Sequence, residues 1–218
     1  MSDYGSAPEV IGSFDVDWYE YMHYLYLPVV MPGQYGVRLP DRLEFVRPVI
    51  EAVFAHEGAR IYDDCYLYIT ARRGYATPGN PLNRPGWHAD GFGTGDINYI
   101  WTDRYPTQFA EQTFHDISDD HVRSIEQFGE QVEPARVVTY PDCTLLRLDA
   151  SVVHAAPEIP PPGGERSFLK ISLSHERYNL LGNSHNYLFD YDWRMWSREE
   201  IRNDPAYAGG DAGPRVPA

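Results

Sequence analysis

The chain has 218 residues, 32 acidic against 18 basic side chains and a formal net charge of −14, with 43% hydrophobic and 14% aromatic residues. That length suits one domain with a substantial core, and the apolar content excludes a disordered chain. The acidic balance repels phosphate backbones, which disfavours a nucleic-acid partner but leaves room for a local basic groove.

No apolar run approaches the length of a membrane-spanning helix. The start, Met1-Ser2-Asp3-Tyr4, lacks a basic stretch followed by an apolar one. The expectation is a soluble, cytoplasmic protein with no membrane partner. Two cysteines, Cys65 and Cys143, are too few for a disulfide framework and read as free thiols.

Residues 1–13 are small and polar and predict a loose start. Phe14 to Val30 is dense in aromatics (Trp18, Tyr19, Tyr21, Tyr24, Tyr26), with a periodicity between helix and strand. It either covers the core or walls a cleft. Pro32-Gly33 and Gly36 mark a loop. Leu43, Val46, Ile50, Val53 and Phe54 then fall on one helical face, with Asp41 as cap and Gly58 as stop. Pro48 inside that pattern predicts a bend, or a main helix that begins there.

Cys65 to Thr70 reads as the first core strand, and the Gly/Pro-rich residues 74–86 as a loop. Ile97 to Thr102 is the next strand, with Asn98, Ile100 and Thr102 on one face. Residues 107–131 are polar and mixed, with a helix over about 119–128 capped by Ser118. Strands follow at Ala135–Tyr140, Thr144–Leu148, Ser151–Ala155 and Ser167–Ser174, with a Pro/Gly loop over 157–165. Aromatics return from Asn183 to Trp196, as packing or as a lid, and residues 205–218 read as a disordered tail. Short strands between turns predict a mainly β sandwich or barrel core with flanking helices.

Chemistry concentrates at Pro85-Gly86-Trp87-His88-Ala89-Asp90-Gly91-Phe92. On a strand, residues i and i+2 share a face, so His88 and Asp90 reach into one cavity. His154, far downstream on a strand-like run, supplies a third ligand. Two histidines and one carboxylate can fill one face of an octahedral metal and leave the other open, which suits non-haem Fe(II). A His-x-Asp triplet alone arises about once by chance in such a chain, so the reading depends on its context. The remaining histidines, 23, 56, 115, 121, 175 and 185, lack that context and read as surface or structural. Trp87 is placed to pack behind the motif and orient His88.

Aromatic-His-x-Asp, a strand-rich interval, a strand ending in His and a strand opening with Arg resemble the Fe(II)/2-oxoglutarate-dependent dioxygenase superfamily. The Trp-His-x-Asp form looks most like its phytanoyl-CoA-dioxygenase-like branch. The resemblance covers about residues 60–178. It implies a double-stranded β-helix (jelly-roll, cupin-like) core within a single catalytic domain over 1–204. It implies Fe(II), 2-oxoglutarate and O2 as cofactor and cosubstrates, and hydroxylation of a C–H bond with release of succinate and carbon dioxide. Halogenases of this family carry a small residue where Asp90 stands, so Asp90 implies hydroxylation or a related oxidation. Arg166, 12 residues past His154, is the implied anchor for the far carboxylate of 2-oxoglutarate, since guanidinium matches carboxylate in a two-bond fork. The family's Arg-x-Ser variant is not met at Arg166 but at Lys170-Ile171-Ser172 with Lys for Arg, so Lys170 is the alternative anchor or a second contact. Asn98 and Tyr66 either hydrogen-bond the cosubstrate or pack in the core.

Two rival readings stay open on sequence alone. One is a cupin-like metal enzyme that does not use 2-oxoglutarate. The other is a non-enzymatic jelly-roll binding module with coincidental His and Asp, in which the three side chains would point away from one another. The substrate is not legible, because function lives in the site rather than in the fold.

Overall fold

The computed structural model describes residues 4–59, 61–91 and 93–197. The expected tail over 205–218 lies outside the described residues. Ten strands form two antiparallel sheets. The large sheet runs in the order β1 (Glu9–Ser13), β8 (Thr144–Leu148), β5 (Ile97–Thr102), β10 (Gly164–Ser174), β3 (Tyr66–Ala76), β2 (Met22–Val30). The small sheet runs β4 (His88–Ala89), β9 (Val153–Ala155), β6 (Gln108–Ala110), β7 (Val137–Thr139). From β3 onward the chain passes back and forth between the two sheets. That alternation is the mark of a jelly-roll core, which the resemblance implied, with the flanking helices that the strand pattern predicted.

The longest ladder, β10 against β3, sets the geometry of the interior. Arg166 faces Gly74, Phe168 faces Arg72, Lys170 faces Thr70 and Ser172 faces Tyr68. By alternation these positions share one face of the large sheet, turned toward the small sheet. The opposite face carries Leu169, Ile171 and Leu173, packed with Val49, Ile50 and Val53. Those last three belong to helix α1 (Arg47–Glu57), which covers the outside of the large sheet. Between the sheets, Ile100, Leu146, Leu148 and Phe168 meet Phe109 and Val152 in a smaller apolar cluster.

Several sequence expectations are corrected. Residues 9–13 are not loose: β1 pairs with β8 at the sheet edge. The aromatic stretch before Val30 resolves as the edge strand β2, with an irregularity between Tyr24 and Leu27. Asp41 caps nothing. It opens a 3-10 turn over Asp41–Val46, and α1 restarts at Arg47 with Pro48 in its first turn, where the missing N–H costs nothing. Gly58 ends α1 at φ 82°, a conformation that favours glycine. β3 continues through Arg72, Arg73 and Gly74, which the sequence placed at its end and in the next loop. A short helix α2 (Ile61–Asp64) precedes it. Helix α3 spans His121–Gln131, and its cap is Asp120, whose side chain accepts from the Arg123 N–H, rather than Ser118. Strand β6 was hidden in the mixed stretch after Thr107. No helix among the described residues is long and apolar enough to cross a membrane.

Candidate metal centre

β4 and β9 pair so that His88 stands directly opposite His154. Both side chains therefore leave the same face of the small sheet, and their ring centroids are 4.5 Å apart. Each ring is fixed from behind. His88 Nδ1 is 2.9 Å from the Gly86 carbonyl and His154 Nδ1 is 3.3 Å from the Val152 carbonyl. A carbonyl only accepts, so Nδ1 carries a proton in both rings and Nε2 is the nitrogen turned toward Asp90. Gly86 makes its turn at φ 91°. Both Nε2 atoms face Asp90, His154 at 3.5 Å from Oδ2 and His88 at 4.0 Å from Oδ1. The ligand atoms of all three residues lie within 4.8 Å of one another, and all three residues are buried. Asp90 sits just past β4, where Gly91 turns the chain at φ 73° with the Asp96 side chain and carbonyl crowded against it.

Electrostatics favour the ligating forms. Burial, with the neighbouring His154, lowers His88 to about 3 and keeps the imidazole neutral. Burial alone would raise Asp90, but the Lys170 ammonium and then His154 hold the carboxyl well below its ordinary range. Lys170 Nζ donates to Asp90 Oδ2 at 2.6 Å. Burial would lower Lys170, and the Asp90 carboxylate and the Tyr26 hydroxyl raise it instead. Neutral imidazole and ionised carboxylate are the states a metal needs. Two imidazole nitrogens with outer hydrogen bonds and one carboxylate oxygen fit an octahedral Fe(II) that keeps an open face. The three side chains converge, which a module with coincidental His and Asp does not require.

The triad lines a cavity of about 310 Å³. Its wall includes Lys170, Phe168, Ile100, Thr70 and Arg72 from the large sheet. The irregularity in β2 brings both Leu25 and Tyr26 to the cavity, Tyr26 at φ 47° with its N–H donating to Thr70 Oγ1. The N-terminal aromatic segment therefore walls the cleft through Tyr26 and fills the core through Trp18. Leu82, Asn83 and Arg84 close the cavity from the loop before β4.

Sequence-predicted residues divide into three groups. His88, Asp90, His154 and Lys170 come together in the wall. Arg166 does not line the cavity. It is fully buried, with Nε donating to the Tyr105 carbonyl at 3.0 Å and Nη1 to the Pro81 carbonyl and Asn83 Oδ1. Its Nη2 is buried without a hydrogen-bond partner. Asn98 and Tyr66 also lie outside the wall: Asn98 Oδ1 accepts from Ser172 Oγ at 2.7 Å, and the Tyr66 hydroxyl accepts from Arg177 Nε at 3.0 Å. Trp87 packs behind the motif with Ala110, Phe114, Phe128 and Val153, as expected. The C-terminal aromatics Tyr187, Phe189, Tyr191, Trp193 and Trp196 do not line the cavity. Buried Asn186 ties that segment to the carbonyls of Pro28 and Arg38. The residue missed by sequence reasoning is Arg72, two positions past Thr70 and so on the same inward face of β3.

A second group of donors, Asp64, Cys65 and His175, gathers where β3 begins and β10 ends. Cys65 Sγ is 3.9 Å from His175 Nδ1, and both cysteines are free thiols, as expected.

No family model matches the chain, and no curated protein matches it. Among solved structures, it is similar to crystal structures of EvdO2 from Micromonospora carbonacea var. aurantiaca, at 15% identity and a TM-score of 0.37. One covers 61% of this chain, which spans 64% of that protein's length. The other, complexed with 2-oxoglutarate, covers 63% of this chain and 68% of that one. A likeness at that level assigns no residue and no reaction here, and the fold assignment rests on the strand order above.

Proposed function

We propose that this chain is a non-haem Fe(II)- and 2-oxoglutarate-dependent oxygenase that hydroxylates a C–H bond of its substrate and releases succinate and carbon dioxide. The observation that carries the proposal is the convergence of two Nε2 atoms and one ionised carboxylate in the wall of a cavity that also carries cations. His88, Asp90 and His154 hold the iron. The bound iron, with 2-oxoglutarate and O2, supplies the oxidising power, and the protein supplies orientation and a dry pocket. The carbonyls of Gly86 and Val152 keep both imidazoles in the ligating tautomer. Lys170 balances the charge of Asp90 beside the ligands.

Arg166 anchors the far carboxylate of 2-oxoglutarate. Its buried, unpartnered Nη2 is an unmet donor, and buried donors are seldom left unmet without a reason. Asn83, which both lines the cavity and accepts from Arg166, is the group the carboxylate replaces as acceptor. The test is an anaerobic titration of the metal-free chain with Fe(II) and 2-oxoglutarate, followed by the weak visible charge-transfer band of the chelate. The expected band disappears in His88→Ala and weakens in Arg166→Ala. Iron bound without a band would point instead to a cupin-like metal enzyme that does not use 2-oxoglutarate, and no iron binding would remove the enzyme reading.

A further inference from the structure

We infer that the substrate of this cavity carries an acidic group, a carboxylate or a phosphate, and that Arg72 receives it. The inference rests on the oxygenase reading only for what else the cavity holds. In that reading the cosubstrate uses the metal and Arg166, and Arg72 is left for the substrate.

The wall of the cavity inverts the charge of the protein around it. The chain is −14 overall, yet the wall carries Arg72, Arg84 and Lys170 against one carboxylate, Asp90. Lys170 is bonded to that carboxylate. Arg72 is not. Among the described residues its guanidinium has one hydrogen bond, from Nη1 to the Leu82 carbonyl, and no ion pair. Burial lowers its pKa, and no acidic neighbour opposes that shift. A half-buried guanidinium that lines the cavity, with no carboxylate of the protein bonded to it among the described residues, has donors to spare for an anion. The carbonyl of Leu82 occupies one donor and holds the side chain in place. The remaining donors of the planar fork suit two oxygens of a carboxylate or phosphate.

The position is also specific. Arg72 is held by pairing on both sides of β3, with Phe168 on one side and His23 on the other. His23 is exposed and lines the cavity beside Arg72. Burial and the nearby Arg72 both lower the pKa of His23, which keeps that ring a neutral neighbour for an anion. Phe168, Ile100 and Leu25 add apolar surface to the same wall. A molecule seated by its acidic end on Arg72 can pack its hydrocarbon part there. The volume, near the lower end for small-molecule sites, fits a small acid or phosphate ester alongside the cosubstrate.

The experiment titrates inorganic phosphate and, separately, acetate into the full chain without added iron, by calorimetry. It compares the parent with Arg72→Gln and Arg72→Lys. We expect saturable binding of one anion per chain. Arg72→Gln should weaken it about tenfold or more, and Arg72→Lys should recover part of the loss. Tighter phosphate would indicate a phosphate ester as substrate, and tighter acetate a carboxylic acid. No saturable binding of either anion, or equal binding in folded Arg72→Gln, overturns the inference. So does loss of the Fe(II)/2-oxoglutarate band in Arg72→Gln, which would give Arg72 to the cosubstrate. Failure of the oxygenase reading is seen separately, as absence of that band in the parent protein.

Discussion

Among the described residues, two clusters offer three metal-ligating side chains each, and they differ in almost everything else. His88, Asp90 and His154 are buried, with both rings tied by their far nitrogens to backbone carbonyls and aimed at one point. Asp64, Cys65 and His175 lie at the surface, where Asp64 and His175 are exposed. There His175 turns the nitrogen nearest Cys65 toward the Asp64 carbonyl, at 3.1 Å. The lone pair that would bind a metal is thus aimed at the metal point in one cluster and displaced by a proton in the other. Ligand identity is similar in both; what separates them is outer hydrogen bonding and burial.

That comparison is broken most sharply at the buried ligands. His88→Ala or His154→Ala should reduce Fe(II) affinity by more than about a hundredfold, beyond the loss from an outer partner alone. Metal content after dialysis and titration calorimetry would check it. The parent should bind one tight equivalent, and two would mean that the exposed cluster is also a site.

Lys170→Met comes next. Without metal it leaves Asp90 buried and unpaired, so the metal-free chain should lose about 3–5 kcal/mol of stability by denaturant unfolding. Saturating Fe(II) should recover much of that loss, because the cation replaces the ammonium. Equal losses with and without metal would mean that Lys170 acts through packing alone.

An effect of similar size, spread over the acid range, follows from protons. His88 is lowered to about 3 in the folded chain against an ordinary value near 6.5, so between those values the unfolded chain binds a proton the folded one refuses. Stability of the metal-free protein should therefore fall as pH drops from about 6.5 toward about 3, by about 1.4 kcal/mol per unit from this group. Above that window the group contributes no slope. Thermal or urea unfolding across pH should show the slope, and His88→Ala should flatten it. The smallest effect is expected at the surface. Cys65→Ser and His175→Ala should each change stability by no more than about 0.5 kcal/mol and leave the tight metal stoichiometry untouched.

The buried cluster was largely legible in the sequence because two-residue alternation put His88 and Asp90 on one face and a second strand could supply His154. The surroundings were less legible. Arg72-Arg73-Gly74 looks like the end of a strand, since charge and glycine usually stop one. Yet β3 runs on to Ala76, because β10 pairs with it residue for residue. Had that strand been extended, alternation alone would have pointed Arg72 inward beside Thr70. Asn98 shows the opposite failure. Alternation gave its face correctly, but Ser172 satisfies it outside the cavity wall. The edge strand β1 was missed because most of it is exposed and its apolar signal is confined to Val10 and Ile11. Ser118 was read as the cap because the helix was placed from about 119; it begins at His121, which makes Asp120 the cap.

The pairing of His88 with His154 has a mechanical consequence. β4 and β9 share a ladder of only two residue pairs, and one of those pairs is the two histidines. An ion held by both rings would add a cross-strand tie where the hydrogen-bond ladder is too short to resist fraying by itself. Losing the ion and breathing of the small sheet would then be a single event, visible as faster amide exchange at Ala89 and Val153 when the protein is stripped of metal.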